Sequence, residues 1–212
     1  YWIRFAQSGY TNFVGYELEE ITISLIEGWN MISGVSEVTT IHTISDPYEL
    51  VIPNTIYIFD SGYYLVNEFE PGHGYWLRST GYGDIVISIN GANNSSSRTQ
   101  DWLSETHTIT INGIDLHFGG NIPDKVLLSY SLPPRPPAGA FDVRFSDDMR
   151  YCSDDCVIEI RGAEKFFIEY DITDSSSWVL ISANQHYELS GQGELNIENG
   201  GNLILTNKKE SK

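Results

Sequence analysis

Gly74-Tyr75-Trp76-Leu77-Arg78 is the stretch on which the reading of the fold turns. In a strand, successive side chains point to opposite faces, so Tyr75 and Leu77 share one side and Trp76 and Arg78 the other. One of those faces must be core. The last four residues echo Tyr1-Trp2-Ile3-Arg4 at an offset of 74. Two further echoes keep the same order. Glu20-Ile21-Thr22-Ile23-Ser24-Leu25 recurs as Asp84-Ile85-Val86-Ile87-Ser88-Ile89, and Gly28-Trp29-Asn30 as Gly91-Ala92-Asn93, at offsets of 64 and 63. Three short matches in one order read as an internal repeat. Residues 1–17 then read as the tail of a preceding repeat and 18–90 as one whole β repeat module.

Strand signals fill that module. Ile21, Ile23 and Leu25 alternate with Thr22 and Ser24, the period of a half-buried strand. Trp29 to Ser33 follows Gly28. Thr55 to Phe59 and Tyr63 to Val66 flank Asp60-Ser61-Gly62, a hairpin signal. Residues 35–50 are the one stretch where a short helix is expected. Residues 91–106 have the composition of a linker, with Trp102 and Leu103 as its sizeable apolar residues, suited to docking on a neighbour.

From 107 to 207 a second pattern takes over. Strands are expected over 107–112, 114–118, 125–131, 141–146, 156–161, 166–171, 178–182, 194–198 and 202–206, with turn signals between them. That spacing predicts an antiparallel β-sandwich module of immunoglobulin-like type. Pro133-Pro134-Arg135-Pro136-Pro137 interrupts it as a stiff extended crossing. Residues 208–212 read as the start of a C-terminal linker. The fold class is therefore all-β: a small repeat module followed by a sandwich.

Charge narrows the partners. The chain of 212 residues carries 12 Lys and Arg against 29 Asp and Glu, a net charge of −17. Such a balance argues against nucleic acid, whose affinity rests on cations neutralising phosphate, and against anionic membrane surfaces. No apolar run approaches the roughly 20 residues of a membrane helix. Residues 1–90 hold two basic and eleven acidic residues, while 91–212 hold ten and eighteen.

Catalytic signatures are scarce. There is no nucleophile elbow, phosphate-binding glycine loop or zinc-protease pair, and the five His stand alone at 42, 73, 107, 117 and 186. The many carboxylates read as a solvated rim, with Asp46, Asp60, Glu68 and Glu70 on expected loops. Cys152 and Cys156 enclose three residues and suit a tight disulfide in a secreted chain. Asp147, Asp148, Asp154 and Asp155, with Asp142 nearby, offer hard oxygen ligands for Ca²⁺, but without the spacing of a calcium loop. No other cofactor is expected. Asn93 and Asn94 lie in glycosylation sequons.

The aromatics of the repeat are the best candidate binding face, because flat rings stack on sugars and carry a polar edge. Tyr63, Tyr64 and Trp76 are the expected platform. Recurrence of the Tyr-Trp-x-Arg unit points the other way, to a fold-determining role that would bury Trp29, Tyr75 and Trp76. Neighbouring Tyr63 and Tyr64 must split across two faces, leaving one of them exposed.

Gly28-Trp29-Asn30-Met31-Ile32-Ser33-Gly34, followed by Pro71-Gly72-His73-Gly74-Tyr75-Trp76-Leu77-Arg78, resembles the Gly-Trp-Asn and Pro-Gly-x-Gly-Tyr-Trp repeats of large secreted proteins of Bacteroidetes-type bacteria. Leu128 to Ser146, with its Pro-Pro-Arg-Pro-Pro core, resembles the β module that sits just before a type IX secretion sorting domain in such proteins. The resemblance implies an extracellular or cell-surface product and no defined activity. The expectation is a non-catalytic module acting in adhesion, assembly or as a stalk, in contact with neighbouring modules of the same longer chain. Three alternatives stay open: a carbohydrate-binding module for polysaccharide or cell-surface glycans, a fibre or sheath subunit that self-associates, and part of a polysaccharide hydrolase.

Overall fold

The computed structural model describes residues 7, 9, 15–91, 102–198 and 201–208. The expected repeat tail at Tyr1 to Arg4, most of the linker, the sequons at Asn93 and Asn94, and 209–212 lie outside the described residues.

The protein is all-β, its strands gathered into several mainly antiparallel sheets. Among the described residues, strands of 20–88 pair only among themselves, as do those of 107–207. The first group comprises β1 (Glu20–Leu25), β2 (Gly28–Ser33), β3 (Thr39–Thr40), β4 (Ile44–Ser45) and β5 (Tyr57–Phe59). It continues with β6 (Tyr63–Leu65), β7 (Glu68–Phe69), β8 (Gly74–Ser79) and β9 (Gly83–Ser88). Sheet β1-β9-β4 and sheet β2-β8-β5-β6 enclose a core of Leu25, Ile32, Leu50, Phe69, Tyr75, Leu77, Ile85 and Ile87. The motif residues explain themselves here. Gly28 takes φ 89°, open to glycine at little cost. Asn30 then clamps the turn: its Oδ1 accepts from the Ile26 N–H at 2.9 Å and its Nδ2 donates to the Ile26 carbonyl at 2.8 Å. Tyr75 packs edge-on against Phe69, and its hydroxyl accepts the Glu70 N–H at 2.6 Å.

The second group comprises β10 (His107–Ile111), β11 (Ile114–Phe118), β12 (Asp142–Phe145), β13 (Tyr151–Cys152) and β14 (Cys156–Arg161). After these come β15 (Phe166–Asp171), β16 (Trp178–Ser182), β17 (Gln185–Leu189), β18 (Gln192–Ile197) and β19 (Leu203–Asn207). Two five-stranded sheets, β13-β11-β10-β15-β18 and β12-β14-β19-β16-β17, face each other across one apolar core. Ile109, Leu116, Phe118 and Ile168 enter it from the first sheet, and Phe145, Ile158, Leu180 and Leu205 from the second. This is a sandwich. Cys152 and Cys156 form a disulfide, which ties β13 of one sheet to β14 of the other.

Two local expectations give way, and one strand was not expected. The stretch 125–131 is not a strand: Asp124–Tyr130 is a 3₁₀ turn that starts behind Pro123. Val126, Leu127 and Tyr130 lie at helical spacing and pack with Trp102 and Leu103 on Ile122 and Tyr151. In 35–50 the helix shrinks to the turn Ile41–Thr43, set between the short strands β3 and β4. Strand β17 escaped the pattern because it is a polar edge, exposed over most of its length.

Candidate functional site

Alternation along β8 buries Tyr75 and Leu77 and sends Trp76 and Arg78 to the opposite face. Register completes that outer face. Trp29 lies opposite Arg78, Met31 opposite Trp76, Tyr57 opposite Trp76 and Leu65, and Phe59 opposite Tyr63. Rings meet edge to face in a row, with Trp29–Tyr57 at 6.1 Å, Tyr57–Tyr63 at 6.3 Å and Phe59–Tyr63 at 5.1 Å between centroids. The Arg78 guanidinium stands 5.7 Å over the Trp29 ring. Trp29 and Trp76 are thus half-buried members of this outer row, and of the expected core trio only Tyr75 lies in the core.

The row abuts the second module. The Tyr63 hydroxyl donates to the Pro134 carbonyl at 2.7 Å. A Cβ placed on Gly62 would come within 2.8 Å of Ile114 Cδ1, so the β5–β6 turn touches the β10–β11 hairpin. Tyr57 is 1 % exposed. Burial pushes its phenol pKa up, partly opposed by the charge of Arg150. Burial is also the main reason that Tyr63 is pushed up to about 12; Arg144 and a hydrogen bond with Trp76 oppose it, and Asp142 adds to it. Cations and carboxylates of the second module therefore reach the phenols of the first.

The receiving edge is built around one buried cation. Arg144 is 0 % exposed. Its Nε and Nη2 donate to the two Asp142 carboxylate oxygens at 2.7 and 2.6 Å. Its Nη1 donates to the Pro133 carbonyl at 2.9 Å and to Asp148 at 3.0 Å. A planar fork of this kind suits paired recognition of a carboxylate. It holds the proline crossing from within, one residue from the carbonyl that Tyr63 meets. Arg135, on that crossing, pairs with Glu159 at 2.7 Å and with Asp148 at 3.3 Å. Sequence reasoning passed over Arg144. The available signal was Phe141-Asp142-Val143-Arg144-Phe145, in which opposite charges two apart share one face of an apolar strand.

The residues expected to form a ligand platform part company. Tyr63 and Trp76 sit together in the joint, and the Tyr63 hydroxyl is already engaged. Tyr64 lies on the other face of its strand, 42 % exposed. The three do not make one open surface. The calcium candidates also need correction. Asp148 is held by Arg144 and Arg135, and Asp155 accepts the Asn207 N–H at 3.3 Å. Asp147 belongs to a tight turn at φ 68°. Among the described residues no group of three or more His, Cys, Asp or Glu is placed to hold a metal, Asp154 included. At Asp148 two guanidinium groups supply the positive charge that a Ca²⁺ would have brought.

A second polar cluster lies within the sandwich. His107 is buried edge-on against Phe118 and Trp178. Its Nδ1 accepts the Thr173 N–H at 3.2 Å, which leaves the proton on Nε2, 3.3 Å from Ser176 Oγ. Burial lowers its pKa, against the pull of Asp174 and Asp171. Asp174 and Glu188 both shift down, Asp174 chiefly through Ser176 and Glu188 chiefly through Lys208. A downward shift keeps a carboxyl ionised and does not suit the general acid of a glycosidase. Among the described residues no helix is long and apolar enough to cross a membrane. No protein family, curated protein or solved structure matches the chain.

Proposed function

We propose that the chain is a non-catalytic, extracellular stalk segment of a longer surface protein, in which two β modules are coupled by a stiff aromatic joint. The observation that carries the reading is the docking of the Tyr57–Tyr63–Trp76 row on the second module, closed by the bond from Tyr63 to Pro134. Aromatic rings locked between two modules resist bending, which is what a spacer must do. The disulfide Cys152–Cys156 agrees with an oxidising compartment. The resemblance to repeats of type IX-secreted surface proteins points to the same setting.

Segmental motion tests it. Relaxation and residual dipolar couplings on the isotope-labelled chain should report one alignment tensor and one tumbling time for both modules. Tyr63→Ala should split them into two. Independent tumbling of the unsubstituted modules would refute the joint, and turnover of a polysaccharide by the chain would refute the non-catalytic reading.

A further inference from the structure

The first module carries a second aromatic surface, which nothing covers among the described residues. Tyr48 and Tyr82 are 72 % and 76 % exposed, and both line an open groove of about 610 Å³ on sheet β1-β9-β4. From this geometry we propose that the groove binds a short stretch of a neutral polysaccharide.

Its floor sets hydroxyls and a carboxylate around Val86 and is ordered by the sheet. Thr22 and Ser45 both pair with Val86, which places them in one row across three strands. Tyr82, Asp84 and Val86 are alternate residues and share that face. Asp84 is already oriented, since Ser24 Oγ donates to its Oδ1 at 2.6 Å, and among the described residues its second oxygen remains to accept a sugar hydroxyl. At Gly83 the floor is bare backbone. A Cβ there would come within 2.7 Å of Leu50 Cδ1 and 3.8 Å of Tyr48 Cδ2.

The two tyrosines are exposed yet their loops are pinned. Asp46 accepts the N–H groups of Leu50 and Val51 at 2.9 and 2.8 Å, closing the loop that carries Tyr48. Ser79 Oγ donates to the Gly81 carbonyl at 2.8 Å, closing the turn before Tyr82. The Thr80 N–H donates to the Leu50 carbonyl at 2.8 Å and ties one loop to the other. Rings held in place lose little entropy on binding, and a phenol presents both a stacking face and a hydroxyl. Hydroxyls from Thr22 and Ser45 and a carboxylate from Asp84 are what a sugar edge needs. Among the described residues no Lys or Arg lines the groove, and the chain is strongly acidic, so a neutral glycan is favoured over an anionic one.

The site stands apart from the joint and does not depend on the stalk reading. Its test is calorimetric titration of the whole chain with neutral oligosaccharides of the cello-, xylo-, manno- and laminari- series, beside oligogalacturonate as the anionic probe. Saturable binding of at least one neutral series is expected. Tyr48→Ala and Tyr82→Ala should each weaken it about tenfold, roughly one stacking contact, with unchanged melting temperature. Tyr64→Ala should leave it unchanged. Absence of binding to every neutral series, preference for oligogalacturonate, or binding indifferent to both substitutions would each overturn the proposal. Asp84→Asn keeps an acceptor while removing charge; it should preserve neutral binding, and losing it would also count against the floor described above.

Discussion

Two aromatic surfaces of the first module make the instructive comparison. One, with Tyr57, Tyr63 and Trp76, is closed by the second module; the other, with Tyr48 and Tyr82, stands open. Both are built of the same residue types on β scaffolds. They differ in what lies opposite. Facing the first is a proline crossing held by a buried guanidinium. The second faces solvent and is walled by pinned loops. An aromatic face is therefore not a binding platform by composition; it becomes a joint or a groove according to whether the fold brings a second surface against it.

The strongest way to break the comparison is to spoil the receiving edge. Asp142→Ala would leave the buried Arg144 charge with only the half-exposed Asp148 as its counter-ion, and removing one partner of a buried pair costs about 3–5 kcal/mol. Urea unfolding should show that loss in the second module, while the Tyr48 and Tyr82 loops keep their chemical shifts. Next in size is the disulfide. Cys152→Ser with Cys156→Ser frees a short loop, and loop-closure entropy puts the cost at about 2 kcal/mol. Calorimetry should place that loss in the sandwich and leave the first module's own melting unchanged. Tyr63→Phe acts on the joint alone. It deletes one hydrogen bond at a half-buried site, a loss of about 1 kcal/mol in the coupling between modules, readable from a cycle with Pro134-side substitutions such as Arg144→Lys.

Acid and alkali give the finest separation, because they act on different places. His107 has a lowered pKa in the folded chain, so below its ordinary value of 6.5 the unfolded chain takes up a proton that the folded one does not. Stability of the sandwich is full above that pH and falls as pH drops through it. His107→Gln should flatten this acid limb in thermal melts. Tyr63 shifts the other way, up to about 12, so its contribution is full below the ordinary 10.0 and is lost as pH rises through about 12. Alkaline titration should release the joint first. If the sandwich core melts before the modules uncouple, the comparison fails.

Much of the fold was legible because the signals are local. Period-two alternation in 20–25, 74–79 and 166–171 placed those strands, and Asp60-Ser61-Gly62 placed a hairpin whose Ser61 takes φ 57°. Misreadings came where a local pattern served another structure. In 125–131 the apolar spacing was that of a turn of helix packed on Tyr151. The polar edge β17 has no buried face to betray it. At the candidate site, sequence separated Tyr75 from Trp76 and Tyr63 from Tyr64, but it grouped Tyr63, Tyr64 and Trp76 as one platform and overlooked Arg144 and the pair Tyr48 with Tyr82. Asp148 read as a cation ligand because nothing local tells a metal from a guanidinium.

By itself, then, the sequence determined that this is an all-β chain, that it is strongly acidic, which side chains share a strand face, and where the Asp60-Ser61-Gly62 hairpin must turn. These follow from backbone geometry and the chemistry of near neighbours. Only the tertiary structure decided what each face meets. Tyr63 finds Pro134 across 71 residues, and Thr22 finds Ser45 through a shared strand. Such pairings are fixed by sheet register and module docking, which depend on packing summed over the whole core and leave no mark within any one stretch.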